Sequence, residues 1–344
     1  MIRKKTFIKM KISERIKSEI NYLFFRRYRY RRVERRHLAG YYGPEKPAAI
    51  NERRQVIFMA DGKRMHGGLA DRLRGICSLY ESARDSGMDF RIFFRFPFRL
   101  EDYLIPAGYD WRIADNEISF NSVTSRPVYM DTRGETDLRE KRWQEHYFRK
   151  AVNDHSVRQF HCYSSFFFAE DRFGELFSEL FRPAPALEQR LSETSRMLGR
   201  DYISISARFL ELLGDFDEPR RERIPLHSGE RDRLMADCIN KIREVRSMPE
   251  NRGMKVLVTS DSHRFLSAVS GEPGILTIPG KIAHIDRKES DCESQMKTFE
   301  DFFAIARASR SYLLVGPGMY RSNFSKRAAQ AGGHSFSEIV FDHE

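Results

Sequence analysis

The sequence predicts an α/β fold of two doubly wound, Rossmann-like halves that face each other. Two series of apolar runs alternating with amphipathic helical patterns carry that prediction, together with a proline-marked stretch between them. The chain has 344 residues, 40% of them hydrophobic, enough for two cores of roughly 150 residues each.

The first series begins at Val56-Ile57-Phe58-Met59, an unbroken apolar run of the kind a strand buried on both faces requires. Leu69, Leu73, Ile76, Tyr80 and Ala83 then mark one face of a helix that ends near Gly87, and Phe90–Phe94 reads as the next strand. A mixed stretch with Trp111 and Trp143 follows, then a strand over Val157–Cys162 and a helix around Arg172–Phe181. Pro183 and Pro185 open an amphipathic stretch to Gly199, which sets the domain boundary: 51–190 for the first half and 191–344 for the second. In the second series, strands are predicted at Tyr202–Ser206, Lys255–Thr259, Ile275–Ile278 and Ser311–Val315. Helices fall near Glu230–Val245, from Ser262, over Phe299–Ala308, and from Ser322 to Ala331.

Residues 1–50 form a separate basic segment. The net charge is +11, and the first 36 residues hold fourteen Lys and Arg against Glu14, Glu19 and Glu34, so the body is neutral. A neutral body makes nucleic acid an unlikely partner for it. Ile8, Ile12, Ile16, Ile20 and Phe24 recur every four residues among basic side chains, the pattern of a basic amphipathic helix. Three readings apply to residues 3–36: an anionic membrane surface, packing on the body with the charges solvated, or single-stranded nucleic acid. The first is favoured. No apolar run is long enough to span a bilayer, and Cys77, Cys162, Cys238 and Cys292 stand too far apart for a zinc site or a disulfide framework. The expected location is cytoplasmic, peripheral on the inner membrane face.

Four segments carry chemistry. Between the first strand and its helix runs Asp61-Gly62-Lys63-Arg64-Met65-His66-Gly67-Gly68-Leu69-Ala70-Asp71-Arg72, a glycine-containing turn where backbone N–H groups and a positive helix end converge on a place for an anion. The bland alternative is a tight turn whose glycines accept positive φ. The second is Ile203-Ser204-Ile205-Ser206-Ala207-Arg208, with Asp215 beyond; the third Val256-Leu257-Val258-Thr259-Ser260-Asp261-Ser262; the fourth runs from Phe299 to Lys326 and includes Gly316-Pro317-Gly318 and Ser322-Asn323-Phe324-Ser325.

In this order, the four segments resemble the motifs of the fucosyltransferase superfamily, which includes α1,2-, α1,6-, nodulation and protein O-fucosyltransferases. Ala70-Asp71 stands where Gly-Asn is usual, Ser206 where His is usual, and Asp215 lies farther along than its counterpart. The resemblance implies a GT-B architecture and an inverting glycosyltransferase that uses GDP-fucose or a similar GDP-sugar as donor substrate, with no metal and no further cofactor. It implies that Arg208 stabilises the departing diphosphate and that His66, Gly67, Gly68, Asp71, Arg72, Thr259, Asp261, Ser322, Asn323 and Phe324 contact the donor. For the base, Asp61, His66, Glu211 and Asp215 are eligible, and Asp215 is preferred. The partner would be a glycan or lipid-linked glycan acceptor, as in surface polysaccharide synthesis. Two alternatives stand: another nucleotide sugar, or a catalytically silent nucleotide- or sugar-binding protein on the same fold.

Overall fold

In the computed structural model, residues 24–25, 27–64, 66–131, 138–165, 170–216, 225–285 and 290–342 are described, without the side chains of 138–141 and 170. The segment 1–23, on which most of the predicted amphipathic helix falls, lies outside them.

The elements follow the chain as β1 (Gln55–Ala60), α1 (Leu69–Asp85), β2 (Asp89–Phe94), β3 (Leu104–Pro106), β4 (Ser125–Met130), α2 (Leu138–Ala151), β5 (Gln159–Ser164), α3 (Phe173–Leu180), β6 (Phe181–Pro183), α4 (Pro185–Leu198) and β7 (Tyr202–Ala207). Then come α5 (Ser228–Ser247), β8 (Lys255–Ser260), α6 (His263–Val269), β9 (Ile275–Leu276), α7 (Cys292–Ala306), β10 (Arg310–Val315), α8 (Phe324–Gly332) and β11 (Ser335–Val340).

These elements fall into two compact units. The first takes the chain up to His66 with Arg74–Phe94 and Trp111–Glu170; the second takes Gly67–Leu73, Arg95–Asp110 and the chain from Asp171. The first turn of α1 thus belongs to one unit and the rest of it to the other, and the sequence boundary at 190/191 falls inside α4.

The first unit holds a parallel sheet in the order β2-β1-β5-β4. All six residues of β1 and of β5 are buried, as central parallel strands require. Pro127 is tolerated in β4 because that strand is an edge. Residues 27–41 pack on this unit: Tyr30 is fully buried, with ring centroids 5.7 Å from Tyr129, 5.8 Å from Trp143 and 5.5 Å from Tyr147.

The second unit holds a five-stranded parallel sheet in the order β11-β10-β7-β8-β9 and a small antiparallel pair, β3-β6. β7 is central. The chain winds from it to β8 and β9 on one side, then crosses to β10 and β11 on the other, so the direction of winding reverses between β7 and β10. In open α/β sheets ligands bind at the carboxyl ends of the strands at this reversal. The core joins Ile203 and Ile205 of β7 to Val256 and Val258 of β8, Leu314 of β10 and the inward face of α5 at Leu234, Cys238, Ile242 and Val245.

Most predicted strands and helices recur within a residue or two. The exception is the helix expected from Phe299, which starts at Cys292, where the Asp291 carboxylate accepts the Ser294 N–H at 2.9 Å. Beyond exposed Cys292 and Glu293 most of its polar residues are buried: Lys297 pairs with Asp301, while Glu300 takes Arg190 at 2.8 Å and the Thr194 hydroxyl at 2.6 Å. Among the described residues no helix is long and apolar enough to cross a membrane.

Candidate donor site

The carboxyl ends of β7, β8 and β10 carry three of the four predicted segments on adjacent strands. Arg208 is the first residue beyond β7. Its Nε lies 3.2 Å from the Asp261 carboxylate, its guanidinium carbon 4.9 Å from the Phe216 ring centroid, and its carbonyl accepts the Tyr320 N–H from the loop after β10 at 2.9 Å. The side chain keeps 28% of its surface exposed. A guanidinium held at one edge and stacked on one face is fixed in direction.

Asp261 is the fixing group. The sequence reading places it against the donor; in the structure the carboxylate is buried, accepting the N–H groups of Phe209 and Leu210 at 2.8 Å each besides the Arg208 ion pair. Burial pushes its carboxyl up from the ordinary range, with Arg208 and the two N–H donors opposing the shift. Leu210 sits in the left-handed region at φ 54°, a conformation that strains a branched residue and persists only where its surroundings hold it. Asp261 is what grips that turn.

Thr259 lies opposite Ser206 in the β7–β8 register, and their hydroxyls are 2.8 Å apart. Asp215 uses one carboxylate oxygen at the start of α6: its Oδ2 accepts the Ser262 hydroxyl at 2.9 Å and the Arg264 N–H at 2.8 Å, and Ser262 in turn accepts the Phe265 N–H at 3.1 Å. That caps α6 through Oδ2, while Oδ1 is buried with no hydrogen-bond partner among the described residues.

Beyond β10 the chain turns through Gly316–Gly318 and enters α8. Ser322 Oγ accepts the Phe324 N–H at 3.2 Å, Asn323 is exposed at the cap position, and the Phe324 ring meets Phe302 edge-on at 5.6 Å. Ser325, which the sequence marks only as one of several hydroxyls, is 1% exposed, and its Oγ has no hydrogen-bond partner among the described residues. A helix start with an unsatisfied buried hydroxyl is prepared for an anion.

The glycine turn before α1 has the positive φ that a tight turn requires. Gly67 has φ 87°, and a Cβ there would come within 2.6 Å of the Asp71 carboxylate, so the turn requires glycine. Arg72 is 1% exposed and donates from Nε to the Gly67 carbonyl and from Nη1 to the Phe96 carbonyl, both at 3.1 Å. These two bonds fasten the turn to the chain around Phe96. His66 belongs to the first unit, its ring buried beside Phe58 and parallel to Tyr163 at 6.2 Å. In that unit Tyr163 donates to Asp61 at 3.0 Å, and the Lys63 ammonium lies 4.5 Å from the Phe120 ring centroid, two polar partners the sequence did not single out. Among the described residues no group of three or more His, Cys, Asp and Glu is placed to hold a metal ion.

No family model and no curated protein matches the sequence. Solved structures do. NodZ α-1,6-fucosyltransferase soaked with GDP-fucose aligns with a TM-score of 0.52 and 15% identity over 81% of this chain and 93% of that chain. The chain has the fold of that enzyme. A second structure, fucosyltransferase NodZ from Bradyrhizobium, aligns at 0.52 with 16% identity over 81% of this chain and 92% of its own. A variant of Arabidopsis thaliana FUT1 in complex with GDP aligns at 0.51 with 13% identity, over 85% and 71%. The mixed α/β architecture of this chain, with its parallel sheets, is thus the fold that aligns with these structures.

Proposed function

We propose that the chain is a glycosyltransferase that moves fucose or a similar sugar from a GDP-sugar to a glycan hydroxyl with inversion. One observation carries this reading: the fixed Arg208 guanidinium and the α8 helix start, with the Ser325 hydroxyl that has no hydrogen-bond partner among the described residues, stand beyond the neighbouring strands β7 and β10, at the reversal of winding. Among the aligned structures, that of NodZ was soaked with GDP-fucose and that of the FUT1 variant is a complex with GDP.

In the reaction so read, an acceptor hydroxyl oxygen attacks the anomeric carbon and loses its proton to solvent, the bond to the diphosphate breaks, and negative charge grows on the phosphate oxygen that leaves. Arg208 and the N–H groups that open α8 offset that growing charge, which assigns to protein donors the neutralisation that a metal ion performs elsewhere. Gly67, Gly68, Asp71, Thr259, Ser322, Asn323 and Phe324 remain the proposed donor shell. Acceptors of the lipid-linked glycan class fit a chain that works at a membrane face.

Arg208→Ala should keep the fold and lower transfer by roughly a hundredfold or more, read as sugar transfer to a glycan mixture with unfolding checked in parallel. Near-normal turnover removes the proposed role. GDP at about a hundred times its Kd should add about 2.7 kcal/mol of stability; selective stabilisation by UDP or CMP instead assigns a different donor, and a GDP response without any transfer favours the silent binding protein.

A further inference from the structure

Residues 24, 25 and 27–36 divide into two faces. Tyr30 and Val33 are buried against the first unit. Arg29 pairs with Asp131, the Tyr30 hydroxyl donates to the Asp131 carbonyl, and Glu34 accepts the Tyr129 N–H at 2.9 Å and the Tyr147 hydroxyl at 3.0 Å. This is a docked segment, held by an ion pair, four rings and a carboxylate.

The outer face is its chemical opposite. Phe24 and Phe25 are each 68% exposed and Tyr28 55%, and Arg27, Arg31, Arg32, Arg35 and Arg36 are all exposed. At helical spacing Phe24, Tyr28, Arg31 and Arg35 make one stripe, about half a turn round from Tyr30 and Val33. Exposed rings of this size are normally buried in something.

We infer that this outer face docks on an anionic lipid surface, with the aromatic side chains at headgroup level and the arginines among the phosphates. Charge complementarity selects the occupant: the whole excess of +11 sits in residues 1–36, where an anionic leaflet attracts it. The isoleucines at 8, 12, 16 and 20 continue the apolar content in sequence, which a bilayer accepts and a nucleic acid backbone does not. Because the inner face is bound to the first unit, the surface holds that unit directly rather than through a loose tether. None of these observations belongs to the donor site, so the inference stands apart from the transferase reading.

The test is co-sedimentation of the full chain with vesicles of phosphatidylglycerol and phosphatidylcholine, against pure phosphatidylcholine, at low and high salt. Wild type should pellet with the anionic vesicles at low salt, and neither with neutral ones nor at high salt. Arg27→Gln with Arg31→Gln and Arg35→Gln should lower partitioning on the order of a hundredfold, about fivefold for each charge, with an unchanged unfolding midpoint. The same three positions changed to Lys should retain binding. Equal pelleting of the wild type and the Gln variant, equal binding to neutral vesicles, loss of binding in the Lys variant, or a stronger salt-dependent affinity for DNA than for vesicles would each overturn the proposal. Vesicle binding without any GDP response leaves this face standing and removes the donor reading; the reverse outcome does the opposite.

Discussion

Arg208 and Asp261 are one ion pair with two different tasks: the arginine keeps part of its surface exposed, and the aspartate is wholly inside. Replacing Asp261 by Asn keeps the volume and removes the charge. The new amide can accept one or two of the three donors it faces, but its NH₂ group must oppose the rest, and Arg208 loses its counter-charge. Unit two should lose roughly 3 kcal/mol, measured as a shift in denaturant midpoint, and kcat/KM for transfer should fall about tenfold or more through a misdirected Arg208. Wild-type kinetics in a destabilised Asp261→Asn chain would show that Asp261 supports the fold alone. The sequence revealed the residue types and their order here, since arginine and aspartate at strand ends are visible as such. Direction was hidden, because it depends on remote backbone: Arg72 is claimed by the carbonyl of Phe96 and Asp261 by the amides of Phe209 and Leu210, partners no local pattern names.

Among the elements, legibility followed burial. Central strands such as β1, β5, β7 and β10 are buried along nearly all of their length; β1 and the end of β10 read as apolar runs, while β5 and β7 carry aromatic or aliphatic residues between buried Gln159, His161 and Ser204, and all four were found. β4, with an arginine and a proline, and β11, mostly exposed, are sheet edges whose composition resembles loops, and both were missed. α2 was hidden by its charge, and the start of α7 by polar residues that form an internal network instead of a surface. α8 matters most for the site, because its start is the proposed anion cradle. It is held where it is by close approach to α3: a Cβ on Gly174 would stand 2.1 Å from the backbone oxygen of Gln330. Gly174→Ala should therefore push the two helices apart and destabilise by about 1–3 kcal/mol, despite the better helix propensity of alanine, and weaken the GDP response with it. An unchanged midpoint in urea would mean that α8 can shift without penalty and that its position does not tune the cradle.

At the scale of the whole molecule, burial of ionisable groups gives the first unit a pH dependence with two opposed limbs. Burial pushes the Glu34 carboxyl from 4.5 up to about 7 and the His161 imidazole from 6.5 down to about 3. For Glu34 the folded state holds the proton more tightly than the unfolded one, so stability falls as pH rises from about 4.5 to about 7 and stays lower above that. For His161 the unfolded state takes the proton more readily, so stability falls as pH drops from about 6.5 towards 3. The limbs overlap between about 4.5 and 6.5 and largely cancel in the wild type. Glu34→Gln should expose the histidine limb alone: relative to wild type the variant gains more at pH 8 than at pH 5, by roughly 2 kcal/mol. Both tryptophans of the chain, Trp111 and Trp143, lie in the first unit, and Trp143 lies beside Tyr30 in the ring cluster that seats the N-terminal segment. Tryptophan emission during urea unfolding therefore reports this unit without contribution from the donor site. A Glu34→Gln chain whose gain is equal at the two pH values would show that Glu34 is ionised in the folded state, and that the N-terminal segment is seated by Tyr30 and Arg29 without a proton on its carboxylate.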